Sequence, residues 1–208
     1  MKVLKINPNR PEEKLLKLAS HILKNDGLVV YPTDTLYGLG ANALSKEAIK
    51  KVYKVKGRDF KNPLSISFYS IDHAKKYVHF NSTAMKLAKK FLPGPLTIVL
   101  PMKFNFPSQL THGSGKVGIR IPDNKIILDL IKIAGFPITS TSANISGAIE
   151  CSTAEQAANQ IGKKVGLILD GGRCKIKKPS TVVEILDEKI IVLREGAIKT
   201  KTILKVGP

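Results

Sequence analysis

Two separated stretches of this chain hold residue types that recognise phosphate. Lys56-Gly57-Arg58, with Asn62 close behind, sets two cations around a glycine. Ser140-Thr141-Ser142-Ala143-Asn144 packs hydroxyl and amide groups directly after the apolar run Phe136-Pro137-Ile138. Arginine offers a planar fork for phosphate or carboxylate oxygens, and lysine a mobile point charge. Cations together with a Ser/Thr/Asn-rich turn at a strand end make a site for a phosphate-bearing ligand. The last turn of a helix explains Lys54, because cations suit the helix carboxyl end. It does not explain Arg58, which lies beyond the helix-breaking Gly57.

A third stretch, Pro32-Thr33-Asp34-Thr35-Leu36-Tyr37-Gly38-Leu39-Gly40, follows an apolar run. Its threonines offer hydroxyls at a strand end, and Gly38 and Gly40 allow close backbone approach to a ligand. It is not a P-loop, because no Gly-Lys-Ser/Thr follows. Lys116 and Arg120 flank Val117-Gly118-Ile119, and an arginine at a strand end can clamp a carboxylate with two bonds. Gly171-Gly172, Pro179-Ser180-Thr181 and Arg194-Glu195-Gly196-Ala197 read as turns. His21, His73, His79 and His112 lack metal-ligand spacing, and no Gly-x-Ser-x-Gly elbow is present.

The elements that position these residues alternate as strand and helix. Strands are predicted over 3–6, 28–31, 63–68, 96–100, 117–121, 136–139, 165–169, 181–186 and 190–193. Leu15, Leu18, Ala19 and Ile22 form the stripe of a helix beginning near Pro11 and stopping at Gly27. Ser45 caps a helix to about Lys56, with Ile49 and Val52 inward. Further helices are predicted over 81–91, 124–133 and 153–161. Residues 101–116 read as a long loop, of the kind that often closes over a ligand. The late hairpin turning at Asp187-Glu188 excludes an all-parallel sheet. The fold class is α/β, a twisted mixed sheet flanked by helices, with one domain over 1–208 and no further domain.

Composition narrows the partners. Lys and Arg number 34 against 16 Asp and Glu, a net charge of +18, which favours an anionic ligand such as nucleotide or RNA. A lysine-rich solvated surface is the plainer source of the same excess. Cys151 and Cys174 are too few for a disulfide framework, no signal peptide is readable, and no apolar run spans a membrane. A cytoplasmic protein is expected.

Taken together, Pro-Thr-Asp-Thr-x-Tyr-Gly-Leu, Lys-x-Arg, Ser-Thr-Ser-Ala-Asn and Ser-Thr-Val-Val over about 28–198 resemble the YrdC-like family. The resemblance implies a twisted α/β sheet with a basic concave face and a threonylcarbamoyl-AMP synthase. Such an enzyme joins L-threonine, bicarbonate or CO2 and ATP, and expels pyrophosphate. It begins the threonylcarbamoyladenosine modification of tRNA and hands its product to a tRNA threonylcarbamoyl transferase. Position by position, Thr35, Ser67, Arg120, Ser140 and Ser180 would surround threonine. Arg58, Asn62, Lys116, Ser142, Asn144, Glu150 and Arg194 would face ATP, with Lys56 and Arg58 catalytic. Mg2+ would arrive on ATP, with no protein metal site.

Ser67 and Glu150 depart from the family, which often has His and Ser there. Longer members carry a C-terminal domain, so here the chain's own loops would close the cleft. Two other readings compete. One is a non-catalytic module for double-stranded RNA or tRNA, against which stands an aromatic fraction of 6%. The other is a carbamoyl-transfer domain like that of hydrogenase-maturation proteins, which two lone cysteines disfavour.

Overall fold

Among the described residues, short runs of aliphatic and β-branched residues become ten strands of one mixed sheet. The computed structural model describes residues 2–207; Met1 and Pro208, the ends of the expected domain, lie outside the described residues. The strands are β1 (Lys2–Lys5), β2 (Val29–Tyr31), β3 (Gly38–Gly40), β4 (Ser65–Ser67), β5 (Leu96–Pro101), β6 (Lys116–Arg120), β7 (Ile138–Ser142), β8 (Leu167–Asp170), β9 (Thr181–Leu186) and β10 (Lys189–Arg194). The helices are α1 (Glu13–Lys24), α2 (Lys46–Lys56), α3 (Ile71–Ala74), α4 (Ser82–Phe91), α5 (Ser108–Thr111), α6 (Lys125–Ala134), α7 (Ala154–Ile161) and α8 (Thr200–Leu204).

The strand order is β1-β8-β2-β3-β7-β4-β6-β5-β9-β10. β7 joins the two halves. Its Ile138, Thr139 and Ser140 pair with β4, while Thr141 and Ser142 pair with β3. In the first half, both faces are buried. Val29 and Tyr31 of β2, with Leu167 and Leu169 of β8, pack under α1 and α6. The intervening Val30 and Ile168 enter the larger core, which α2, α4 and α7 also fill. Apolar residues at every position of such strands reflect this double burial.

Helix ends follow their cap chemistry. Ser45, Asn81, Asn124 and Thr153 each accept a backbone N–H of the first turn. Gly57 closes α2 in the left-handed region, at φ 58°.

The sequence expectations need four corrections. The buried face of α1 is Leu16, Ala19 and Leu23, whereas Leu18 is exposed. Apolar residues at 15, 16, 18, 19, 22 and 23 make a broad stripe, and packing against α6 selects the phase. The Gly-rich segment is partly a strand, β3. A Cβ on Gly38 or Gly40 would lie 2.7 or 2.6 Å from the Tyr31 ring, so both glycines make room for Tyr31, and Gly38 also lines the candidate-site cleft. β7 runs on through Ser142, so Ser140, Thr141 and Ser142 are strand, and the chain bends only at Ala143 and Asn144. Residues 101–116 are not wholly irregular, because α5 buries Leu110. The hairpin does turn at Asp187-Glu188, both left-handed.

Candidate active site

Alternation on three strands builds a floor. Val117 and Ile119 of β6 enter the core, so Lys116, Gly118 and Arg120 face the other way. β5 contributes Thr97 and Val99 to the same face, and β9 contributes Val182. The result is a concave cleft of about 570 Å3, lined entirely by strands and loops. Gly118 keeps the floor low: a Cβ there would stand 2.7 Å from Ser65 Oγ and 3.1 Å from Thr97 Cγ2.

The walls are knotted by short hydrogen bonds. Thr33 Oγ1 donates to Leu36 O at 2.6 Å, accepts the Thr35 and Leu36 N–H groups, and lies 2.9 Å from Thr35 Oγ1. The Ile176 and Lys177 N–H groups donate to Asp34 O and Thr35 O, tying this loop to the segment after β8. Across the cleft, Ser180 Oγ lies 2.9 Å from Thr97 Oγ1. Gly196 packs so closely that a Cβ would be 2.3 Å from Pro179 O, which holds the end of β10 against Ser180.

Four cations line the cleft, in two states. Arg120 donates through Nη2 to Asp34 Oδ1 at 2.6 Å and through Nε to Gly94 O at 3.2 Å, with both ion-pair side chains buried. Burial pushes the Arg120 guanidinium below its ordinary pKa, and Asp34 opposes that shift. Lys116 Nζ pairs with Glu184 Oε1 across β5, at 2.5 Å. Arg58 instead donates to the neutral carbonyls of Asn62 and Pro63, both at 3.0 Å. Arg194 donates to Ser180 O at 2.9 Å. Burial lowers the Arg58 pKa; Tyr53 opposes this and the Arg194 charge adds to it.

The structure gathers Thr35, Arg58, Asn62, Lys116, Arg120, Ser140, Ser142, Glu150, Ser180 and Arg194 around this one cleft. Lys56, Asn144 and Ser67 lie outside its lining. Lys56 is 2% exposed, and Nζ donates to Ser142 O at 2.6 Å, Asn144 O at 2.8 Å and Asn144 Oδ1 at 3.2 Å. Its position at the inward end of α2 points it to the rear of β7, so it pins the Ser/Thr strand instead of facing a ligand. Burial, reinforced by the Arg58 charge, pushes its pKa down to about 8; the three oxygen acceptors suit the ammonium form. Asn144 completes the same knot, accepting from Ser142 Oγ at 2.6 Å and donating to Ala148 O at 2.7 Å. Ser67 sits fully buried beside Arg120 in register, its Oγ without a hydrogen-bond partner among the described residues.

Sequence reasoning gave no role to Asp34 or Glu184. Strand alternation holds the signal for Glu184, since it follows Val182 on the floor-facing side of β9. Asp34 has a weaker one, an acid between two threonines at a buried strand end, where a carboxylate needs a cation.

Among the described residues no helix is long and apolar enough to cross a membrane. The Sua5/YciO/YrdC family model, described as "Telomere recombination", matches residues 21–196. A Methanocaldococcus jannaschii protein is 43% identical over 95% of this chain and 94% of its own length. The threonylcarbamoyl-AMP synthase of Pyrococcus abyssi is 38% identical over 95% of this chain, which spans only 58% of that relative. The crystal structure of P. abyssi Sua5 complexed with L-threonine superposes with a TM-score of 0.94 at 36% identity, covering 99% of this chain and 61% of that one. With most of its length matched by the family model, the chain belongs to the Sua5/YciO/YrdC family.

Proposed function

We propose that this cleft forms threonylcarbamoyl-AMP and pyrophosphate from L-threonine, bicarbonate and ATP, a nucleotidyl transfer. The observation that carries the reading is the division of one cleft into two chemistries. Near the buried Arg120, hydroxyls come from three separate elements: Thr35, Ser140 and Ser180. That set suits the carboxylate and hydroxyl of threonine. On the same lining, Arg58 and Arg194 make no ion pair with a carboxylate among the described residues, and Arg194 meets the hydroxyl set at Ser180; their free charge suits polyphosphate. The names of the P. abyssi relative and its threonine complex support the same assignment.

In the reaction, bicarbonate takes up a proton and loses water to give CO2; the threonine amine attacks its carbon to form a carbamate, and the proton the amine gives up balances the one consumed. A carbamate oxygen then attacks the α-phosphorus, and the bond to the bridging oxygen breaks to release pyrophosphate. No side-chain nucleophile is required. The barrier is the approach of one anion to another, so positioning and charge neutralisation by Arg58, Arg194 and Lys116 supply the catalysis. Magnesium enters with ATP as part of the substrate. Lys56 and Asn144 serve by holding Ser142 and its strand in place.

The adenylate would pass to a tRNA threonylcarbamoyl transferase in the cytoplasm. The non-catalytic RNA module is not favoured, because the candidate residues gather around one concave cleft of small-molecule size rather than on an open stacking surface. Pyrophosphate release tests the reading: it should require L-threonine and bicarbonate together with ATP. Release that persists when threonine is omitted would overturn it.

A further inference from the structure

The two ion pairs on the cleft floor differ in burial, and that difference assigns a role to Glu184. Arg120 and Asp34 are 8% and 6% exposed in their side chains, so separating them would leave a buried charge without a partner. That pair stays closed. Lys116 and Glu184 are 35% and 21% exposed, and such a half-solvated pair is weak enough to open. Lys116 is also the cation on this floor that a carboxylate holds without fixing its direction, since an ammonium is a point charge that needs no orientation.

We propose that Glu184 tunes nucleotide affinity by competing with nucleotide phosphate for Lys116. This rests on the reading of the cleft as an ATP site. Before ATP binds, Glu184 neutralises Lys116 from the far side of β5, where Val99 stands opposite both Glu184 and Gly118. The bound phosphates draw Lys116 away and leave Glu184 hydrated at the cleft margin. When pyrophosphate departs, Glu184 takes Lys116 back. The carboxylate thus weakens nucleotide binding and favours release of the anionic product. Arg58 and Arg194, which donate only to neutral oxygens, have no such competitor among the contacts they make.

Calorimetric titration of Mg-ATP and of L-threonine into the full chain tests this with Glu184→Gln, Lys116→Gln and the double variant. Glu184→Gln keeps the side chain's size in a half-exposed setting, so folding is not at risk. It should tighten ATP roughly threefold or more, about 0.7 kcal/mol at ~1.4 kcal/mol per tenfold, and leave threonine affinity unchanged. On the Lys116→Gln background the gain should shrink, because the two residues act as one unit. Unchanged or weaker ATP binding by Glu184→Gln would overturn the proposal, as would the same gain without Lys116. If no form of the protein takes up ATP, the reading of the cleft itself falls.

Discussion

Lys56 and Arg58 stand two residues apart, yet the structure gives them opposite tasks, and Lys56→Met separates them. The variant removes the ammonium that serves Ser142 O, Asn144 O and Asn144 Oδ1. A buried carbonyl left without its donor costs about 1–3 kcal/mol, and two main-chain carbonyls lose theirs. Methionine regains part of this, because no buried charge remains to be desolvated. The net loss is therefore about 2–4 kcal/mol of folding stability. For a chain of this size that is a fall of roughly 5–15 °C in Tm, at about 2–4 °C per kcal/mol. Urea unfolding followed by circular dichroism measures the loss. Pyrophosphate release well below the melting range then shows a weakened grip on substrates, through the loosened Ser140–Ser142 strand. A Lys56→Met protein as stable as wild type but without turnover would refute the pinning argument and put Lys56 on the reacting groups.

Arg58→Ala should keep its stability within about 1 kcal/mol and lose at least ~100-fold in rate, the scale of a preorganised charge contact; Arg58→Lys should also be slow, and near-normal rates in both would return Arg58 to a helix end. Arg120→Ala should weaken L-threonine by roughly 30-fold or more and leave ATP within a few-fold by calorimetry. It also strands Asp34, so melting should show a loss of about 3–5 kcal/mol; losing ATP while keeping threonine would invert the subsites. His73, 7% exposed and stacked on Tyr69 at 4.2 Å, is held by burial at a pKa of about 4, below the ordinary 6.5, and nearby Lys76 adds to the shift. Between pH 6.5 and 4 the unfolded chain therefore binds a proton that the folded chain does not, and stability falls as pH falls. Urea unfolding at pH 7 and 4.5 should show His73→Phe losing about 2 kcal/mol less than wild type, at ~1.4 kcal/mol per unit; equal losses would contradict it.

Much of this fold was legible because local chemistry repeats what packing requires. Ser45, Asn81, Asn124 and Thr153 each cap the helix expected after them. The Thr181–Leu186 strand has its expected bounds, since a left-handed Asp-Glu turn fixes the hairpin register. What failed was whatever depends on a partner far away in sequence. The phase of α1 is chosen by α6, and the glycines of β3 answer to Tyr31. The candidate site divided in the same way. Residue types at strand ends indicated most of the cleft's lining, but side-chain direction did not follow from type. Lys56 reads as a ligand-facing cation until α2 is laid behind β7. The partners of Asp34 and Glu184 emerge only from the fold, which brings Arg120 of β6 to the loop that carries Asp34 and sets Lys116 across β5 from Glu184.

The central claim is that one cleft couples threonine, inorganic carbon and the α-phosphate in a single product. Mass spectrometry after incubation with ATP, L-threonine and 13C-bicarbonate tests it most directly. The account predicts a threonylcarbamoyl adenylate carrying the 13C label, formed in step with pyrophosphate. An unlabelled threonyl adenylate, or labelled carbon absent from every adenylate formed, would contradict it.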